Sequence, residues 1–301
     1  MNRRPNMTIA PTETKMNPTI STQLLCVLLA LALNANAGSI PDDCKIGGFA
    51  IGCQAWTFHQ LSAYEAVEQT ALAGGKIIEF YPGQKLSPDQ ADARWDHHAS
   101  AETIAVMKSH LAKHGVRAVN YGVVSGKDAS EWRRIFEFAK QFDFYAITTE
   151  DVDKLDLIEK LVKEFNIRVA IHNHPRRADD ANYKVWDPHY VLSVVKDRDA
   201  RIGSCADIGH WATSGVKPLD AVKLLKGRVI SVHLKDRPAI GKPTPDQPFG
   251  AGVCDVHGVL KELTSQGFSG NISIEYEAPS ERLLPEIAQC VGYFRGYDGC
   301  K

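Results

Sequence analysis

After Gly38, short apolar runs alternate with stretches in which apolar residues return every three or four positions. The short runs predict eight strands, at residues 49–55, 76–80, 116–122, 144–149, 167–172, 202–207, 229–233 and 271–276. The longer stretches predict helices at 63–72, 103–113, 130–142, 154–165, 218–225, 256–266 and 283–293. Strands alternating with helices pair in parallel through right-handed crossovers. Eight such units favour closure over an open sheet, and no GxGxxG follows the first strand, which argues against a dinucleotide fold. The pattern therefore predicts an α/β protein: a single-domain (β/α)8 barrel, the TIM barrel, with eight parallel strands, over residues 38–301.

The punctuation agrees with that reading. Gly74-Gly75, Gly115, Asn166 and Gly227 fall between a helix and the next strand, where a C-terminal cap needs a residue that tolerates positive φ. The longer connections, 81–100, 175–187 and 235–254, lie on the opposite side and are rich in Pro, Asp, His, Lys and Arg. A barrel keeps its chemistry in the loops at the C-terminal ends of its strands. No linker, low-complexity stretch or second domain interrupts the alternation.

Residues 1–37 read as a signal peptide. Arg3, Arg4 and Lys15 precede an apolar run from Leu24 to Leu33, and Ala35-Asn36-Ala37 supplies a small-x-small cleavage pattern before Gly38. The run is too short for a spanning helix, which needs about twenty residues; an uncleaved anchor is the competing reading. Translation from Met7 or Met16 would shorten the basic region. Export to the periplasm or medium follows as the expected localisation, with no stable membrane association after cleavage. Cys26 would leave with the signal, and Cys44, Cys53, Cys205, Cys254, Cys290 and Cys300 would remain. Because the ends of a closed barrel lie close together, Cys44 with Cys290 or Cys300 is the first disulfide expected. The alternative is that the cysteines are small buried hydrophobes. The net charge of −1 gives nothing to steer a polyanion, so no nucleic-acid partner is expected. Homo-oligomerisation is left open.

Polar residues recur where the strands end. Glu79 lies in the second strand, and Glu150 follows the fourth. His172-Asn173-His174 ends the fifth, and Asp207 ends the sixth with His210 three residues on. His233 ends the seventh, followed by Lys235, Asp236 and Arg237; Glu275 and Glu277 lie in and after the eighth. Any one of these could be an ordinary hydrogen-bonded polar group. Together, Glu150, Asp207, His233 and Glu275 would point into one small space around the barrel axis. Carboxylates so packed repel, and burial raises the cost of their charge. One divalent cation resolves this, and a mixed carboxylate–imidazole set suits Mn²⁺ first, with Mg²⁺, Co²⁺ or Zn²⁺ as alternatives. A hydrogen-bonded polar plug without metal is the competing explanation.

The segments Ile171-His172-Asn173-His174-Pro175, Ala206-Asp207-Ile208-Gly209-His210-Trp211, Ser231-Val232-His233-Leu234-Lys235-Asp236 and Ile272-Ser273-Ile274-Glu275-Tyr276-Glu277, with Gly52-Cys53-Gln54-Ala55-Trp56-Thr57 on the first strand, resemble the xylose-isomerase-like barrel superfamily in its sugar phosphate isomerase/epimerase branch. The resemblance covers roughly Gly48 to Tyr293 and implies one divalent metal held by residues of the fifth to eighth strands. It matches Asp207, His233 and Glu275 to ligand positions. Many members place a glutamate where this chain has His172; Glu150 would replace it, with His172 or His174 as alternatives. That departure puts the usual pair of acid and base glutamates in doubt.

A metal that chelates a sugar carbonyl and the adjacent hydroxyl acidifies the C–H between them. His172, His174 and His210 are then the expected proton carriers, with Glu277 and Glu79 as alternatives, and Lys235 as an oxyanion partner. Arg237 and Glu277 would hold substrate hydroxyls, and Trp56, Trp211, Phe58 or Trp186 would stack on a sugar face or pack in the core. The expected activity is a sugar isomerase or epimerase working on a small carbohydrate. Alternatives are a lyase or hydratase acting on 3-keto-glycosides or keto-sugars by β-elimination, and a non-catalytic exported sugar-binding protein. The superfamily's nucleases fit poorly with the neutral charge. Export favours a free sugar over a sugar phosphate.

Overall fold

The computed structural model describes residue 1 and residues 38–278 and 280–297. The proposed leader, with Cys26, and the C-terminal Cys300 lie outside the described residues. Eight parallel strands close into a barrel: β2 (Phe49–Gln54), β3 (Ile77–Phe80), β6 (Arg117–Tyr121), β7 (Ala146–Thr149), β8 (Arg168–Ile171), β9 (Ile202–Asp207), β10 (Val229–Leu234) and β11 (Asn271–Ile274). The ring closes where β11 pairs with β2 from Asn271 opposite Ala50, and β2 with β3 from Gly52 opposite Ile77. A short β1 (Lys45–Ile46) runs antiparallel to the start of β2.

The helices arise where expected. Ser62 opens the helix Ala63–Leu72 with a capping box to Glu65. Gly115 (φ 63°) and Asn166 (φ 54°) close two helices in the left-handed conformation. Three elements were not expected. The connection 81–100 contains a hairpin, β4 (Gln84–Ser87) with β5 (Gln90–Trp95), whose Trp95 is fully buried against Phe80, Phe138 and Phe142. The helix Pro188–Val195 completes the unit after β8, and the six-residue helix Ile208–Thr213 starts directly on Asp207.

The main core lies between the strand wall and the helices. A second cluster gathers residues near the strand starts, including Ala50, Ile77, Val119, Ala170 and Ile230, with Ile40 and Cys44. Cys44 sits in this inner cluster, whereas Cys290 packs in the outer one; both are free thiols, as are Cys53, Cys205 and Cys254. The expected Cys44–Cys290 disulfide is therefore corrected: the two cysteines belong to separate cores, and each is a small buried hydrophobe. Above the inner cluster the interior turns polar. Ser273 Oγ and Asn271 Nδ2 donate to Glu79 Oε2 (2.8 and 3.2 Å), and Thr148 Oγ1 donates to Asn120 Oδ1 (3.2 Å). Bulky branched side chains usually fill this space in such barrels. The polar layer supports what stands above it. No helix among the described residues is long and apolar enough to cross a membrane.

Candidate metal centre

The strand ends bring Asp207, His233, Glu275 and His172 together. His233 Nδ1 lies 3.1 Å from Glu275 Oε2 and 3.8 Å from Asp207 Oδ2, and His172 Nε2 lies 3.6 Å from the same Asp207 oxygen. All four residues are buried. Each imidazole has a carboxylate behind it. His172 Nδ1 is 3.0 Å from Glu150 Oε1, and His233 Nε2 is 3.1 Å from Glu79 Oε1. His172 Nε2 and both ring nitrogens of His233 are buried and have no hydrogen-bond partner among the described residues, and the same holds for Glu79 Oε1 and Glu275 Oε2. Buried polar atoms are nearly always satisfied, so two orphaned ring nitrogens facing two carboxylate oxygens mark a place for a cation.

The charge balance points the same way. Glu79, Glu150, Asp207, Asp246, Glu275 and Glu277 surround the site, against the fixed cations Lys235 and Arg237. Burial works against a charged His172, but Asp207 and Glu150 outweigh it and push the group up to about 10. Burial likewise opposes ionisation of Glu150, yet the imidazoles of His172 and His174 hold its carboxyl well below the usual range. A metal ion bound at these nitrogens would replace the proton that the carboxylates otherwise attract. The donor set, two carboxylates and two imidazoles each backed by a carboxylate, thus fits a divalent transition metal.

Glu150 stands apart from this group. Its Oε1 accepts from Tyr183 OH (2.9 Å) and from the His174 backbone N–H (3.1 Å), and also lies 2.7 Å from His174 Nδ1. It braces His172 and His174, with which it forms a second cluster of metal-type donors, while His172 Nε2 and His210 Nε2 each lie 3.6 Å from Asp207 Oδ2. Removing such a backing carboxylate typically costs about 10–100-fold in metal affinity. Glu150→Gln is expected to weaken metal binding by about that factor, read by competition with a chromogenic chelator, while Asp207→Ala removes binding altogether.

Lys235, fully buried, places Nζ 2.7 Å from both Asp207 Oδ2 and Glu275 Oε2, and 3.4 Å from Glu277 Oε2. His210 is buried beside it, its Nε2 3.3 Å from Glu277 Oε1; burial pushes this imidazole down to about 4, so it is neutral. Arg237 is tied by Asp246 (3.1 Å), Glu277 (2.6 Å) and Thr213 Oγ1 (2.8 Å). Trp211 and Phe58 are buried in the core, away from any ligand face. Trp186 lies under Arg176, 5.2 Å from ring centre to guanidinium, on a separate face of the loop 175–187. A cavity of about 250 Å³ opens onto the centre, lined by Gln54, Trp56, Tyr81, Pro82, Val123, His174, Glu275 and Glu277. Trp56 is the exposed aromatic of the set, edge-on to Tyr81.

Several supporting residues carried no signal of their own. Asn173 clamps β9 to β8: its Nδ2 donates to the Asp207 carbonyl, and its Oδ1 accepts from the Asp207 N–H (both 3.0 Å). The Asp236 carboxylate accepts the N–H groups of Gly250, Gly252 and Cys254 (2.9–3.0 Å), which fastens the loop 235–254. The HNH and HLKD runs were the available clues, but such partnerships need the folded loops to be seen.

The family model described as "Xylose isomerase-like TIM barrel" matches residues 149–292. Among solved structures, an uncharacterised protein from Parabacteroides distasonis ATCC 8503 is 31% identical, with 82% of this chain and 98% of that chain covered at a TM-score of 0.65. A D-tagatose 3-epimerase-like protein shares 18% identity over 81% of this chain and 96% of its own (TM-score 0.63). A xylose isomerase-like TIM barrel protein from Mycobacterium smegmatis, in complex with magnesium, shares 13% over 86% and 99% (TM-score 0.64). These last two speak for the fold alone. No functionally curated protein matches the sequence. With the 31% relative spanned almost end to end and the family model covering β8 to β11 and reaching into the last helix, the chain belongs to the xylose isomerase-like TIM barrel family.

Proposed function

We propose that the protein is a divalent-metal-dependent enzyme that moves a proton beside the carbonyl of an uncharged sugar, acting as an isomerase or epimerase. The observation that carries this reading is the pair of carboxylate-backed imidazoles whose free nitrogens face Asp207 and Glu275 at the floor of a pocket. A Mn²⁺ ion, or failing that Mg²⁺, Co²⁺ or Zn²⁺, held by His172, Asp207, His233 and Glu275 would polarise the carbonyl and its neighbouring hydroxyl and so acidify the intervening C–H.

The chain's own groups do the rest. Trp56 and Tyr81 offer apolar faces to a sugar ring, and Gln54 and Glu277 offer hydrogen-bonding groups in the same wall. His174, braced by Glu150, can exchange a proton with substrate at one side of the pocket. Glu277 can do so at another, with His210, held neutral by burial, 3.3 Å behind it. Lys235 and Arg237 set the charge of Glu277 and hold it in place. A second outcome shares the first step. His174 in the pocket wall could protonate a departing oxygen, and a 3-keto-glycoside would then undergo β-elimination.

The test is proton exchange in deuterated water with a panel of free keto-sugars and 3-keto-glycosides. Metal-dependent exchange supports the reading, and the products separate isomerase, epimerase and lyase. Bound metal without exchange on any member would leave a sugar-binding protein. Glu275 and Glu277 line the pocket and no Lys or Arg does, so a substrate phosphate finds no cationic side chain in the wall to pair with. The kcat/KM for a sugar phosphate is expected to be at least about tenfold below that of its parent sugar at low salt; equal or better values for the phosphate would contradict this. The proposed leader peptide supports the same preference.

A further inference from the structure

Lys235 is an unusual residue to find at the floor of a cation site. Its ammonium is fully buried, 2.7 Å from Asp207 Oδ2 and 2.7 Å from Glu275 Oε2, the same two oxygens that face the free imidazole nitrogens. Glu277 Oε2 (3.4 Å) and His210 Nε2 (3.3 Å) complete its surroundings. The stem that carries it is held as well. A Cβ on Gly209 would come within 2.7 Å of Lys235 Cβ and Cδ, so the glycine of Asp207-Ile208-Gly209-His210 leaves the groove along which the lysine enters. The ammonium is therefore directed to these oxygens by packing, rather than drifting there from solvent.

A metal–carboxylate bond is about 2.0–2.2 Å long. Any ion bound to Asp207 Oδ2 or Glu275 Oε2 would then stand no more than about 5 Å from an ammonium that stays in place. In a buried site, a unit and a double positive charge at that range repel. Without Lys235, on the other hand, Asp207 and Glu275 would face each other with only the imidazoles of His172 and His233 between them.

We infer that Lys235 is the site's own resident cation, sharing Asp207 and Glu275 with the divalent ion and setting how weakly and exchangeably that ion is held. The inference rests on the proposed metal centre. It assigns Lys235 as a positioning residue: it keeps the two carboxylates at their working separation and tunes their affinity for metal, without being a ligand itself. The arrangement suits a site that must form correctly before metal arrives.

The experiment compares metal dissociation constants of wild type and Lys235→Met, by chelator competition with Zn²⁺ and Co²⁺, alongside the unfolding midpoint of each protein without metal. Methionine keeps the length and removes the charge. The expected result is metal binding tighter by about tenfold or more, with a lower metal-free midpoint and a larger rise in midpoint on adding metal. If Lys235→Met does not fold, the same comparison is made between Glu277→Gln and Glu277→Gln/Lys235→Met, where the charge balance is restored. Unchanged or weaker binding in the lysine-free protein, with wild type binding normally, overturns the role of Lys235 and leaves the metal centre standing. Binding only in the lysine-free protein would mean that Lys235 displaces the ion instead of sharing the carboxylates with it, and overturns the inference. Binding in neither overturns both.

Discussion

Asp207→Ala should bind no divalent metal and should lose roughly a thousandfold or more in metal-dependent proton exchange. The side chain has three duties at one point. Its Oδ2 faces His172 Nε2 and His233 Nδ1, and it is also the 2.7 Å partner of Lys235. Its Oδ1 accepts the N–H of His210 (2.8 Å) and so caps the helix that follows. Losing Lewis-acid stabilisation worth several kcal/mol accounts for the thousandfold, since each 1.36 kcal/mol is about tenfold in rate. Asp207→Asn separates the duties, because an amide oxygen can still cap the helix while the anionic ligand is gone. Both variants should therefore be metal-free, with Asn the closer to wild type in stability. Normal metal content in Asp207→Ala, together with normal content in Glu275→Ala, would show that the site has been placed wrongly.

The second large effect is on stability. Trp95→Ala should cost about 3–5 kcal/mol, the usual range for emptying a buried aromatic site. Trp95 is the last residue of β5, and its ring centre stands 5.4 Å from that of Phe80, 5.5 Å from Phe138 and 5.7 Å from Phe142. It pins the hairpin to the barrel wall and to the helix Ala129–Gln141. Tyr81 follows Phe80 directly and lines the cavity above the candidate metal centre. A urea unfolding curve with unchanged slope and a lower midpoint would register the cost. A loss below about 1 kcal/mol would mean that the surrounding rings collapse into the space.

The barrel was legible because its periodicities are local. β9 and the helix Ala63–Leu72 coincide with the expected spans, and the other strands differ by a residue or two at their ends. The hairpin β4–β5 escaped notice because its strands are polar (Gln84, Lys85, Ser87, then Gln90, Asp92, Arg94) and, among the described side chains, Leu86 and Trp95 alone join the buried core. The helix Pro188–Val195 was hidden behind a long polar loop, although Asp187-Pro188 is a good start signal. In the site, strand order alone brought Asp207, His233 and Glu275 to one axis. It could not rank Glu150 against His172, because that depends on which of two adjacent strand ends turns inward and which backs the other. Lys235 and Arg237 sit in a loop-like, highly charged run, and nothing local distinguishes a solvated lysine from one fully buried among carboxylates.

The fastening of the loop 235–254 limits how this protein can change. In barrels of this kind, loops above the strands are where lineages usually lengthen, shorten and acquire new specificities. Here one carboxylate, Asp236, holds three amides of the far end of the loop, and it lies three residues from His233 on the same chain. A side chain at Gly252 would collide with that carboxylate. An insertion that drew the loop off Asp236 would also pull on the lysine and histidine just before it. Heritable variation in substrate preference should therefore accumulate around Trp56, Tyr81 and the 175–187 connection, while the seventh loop stays nearly frozen.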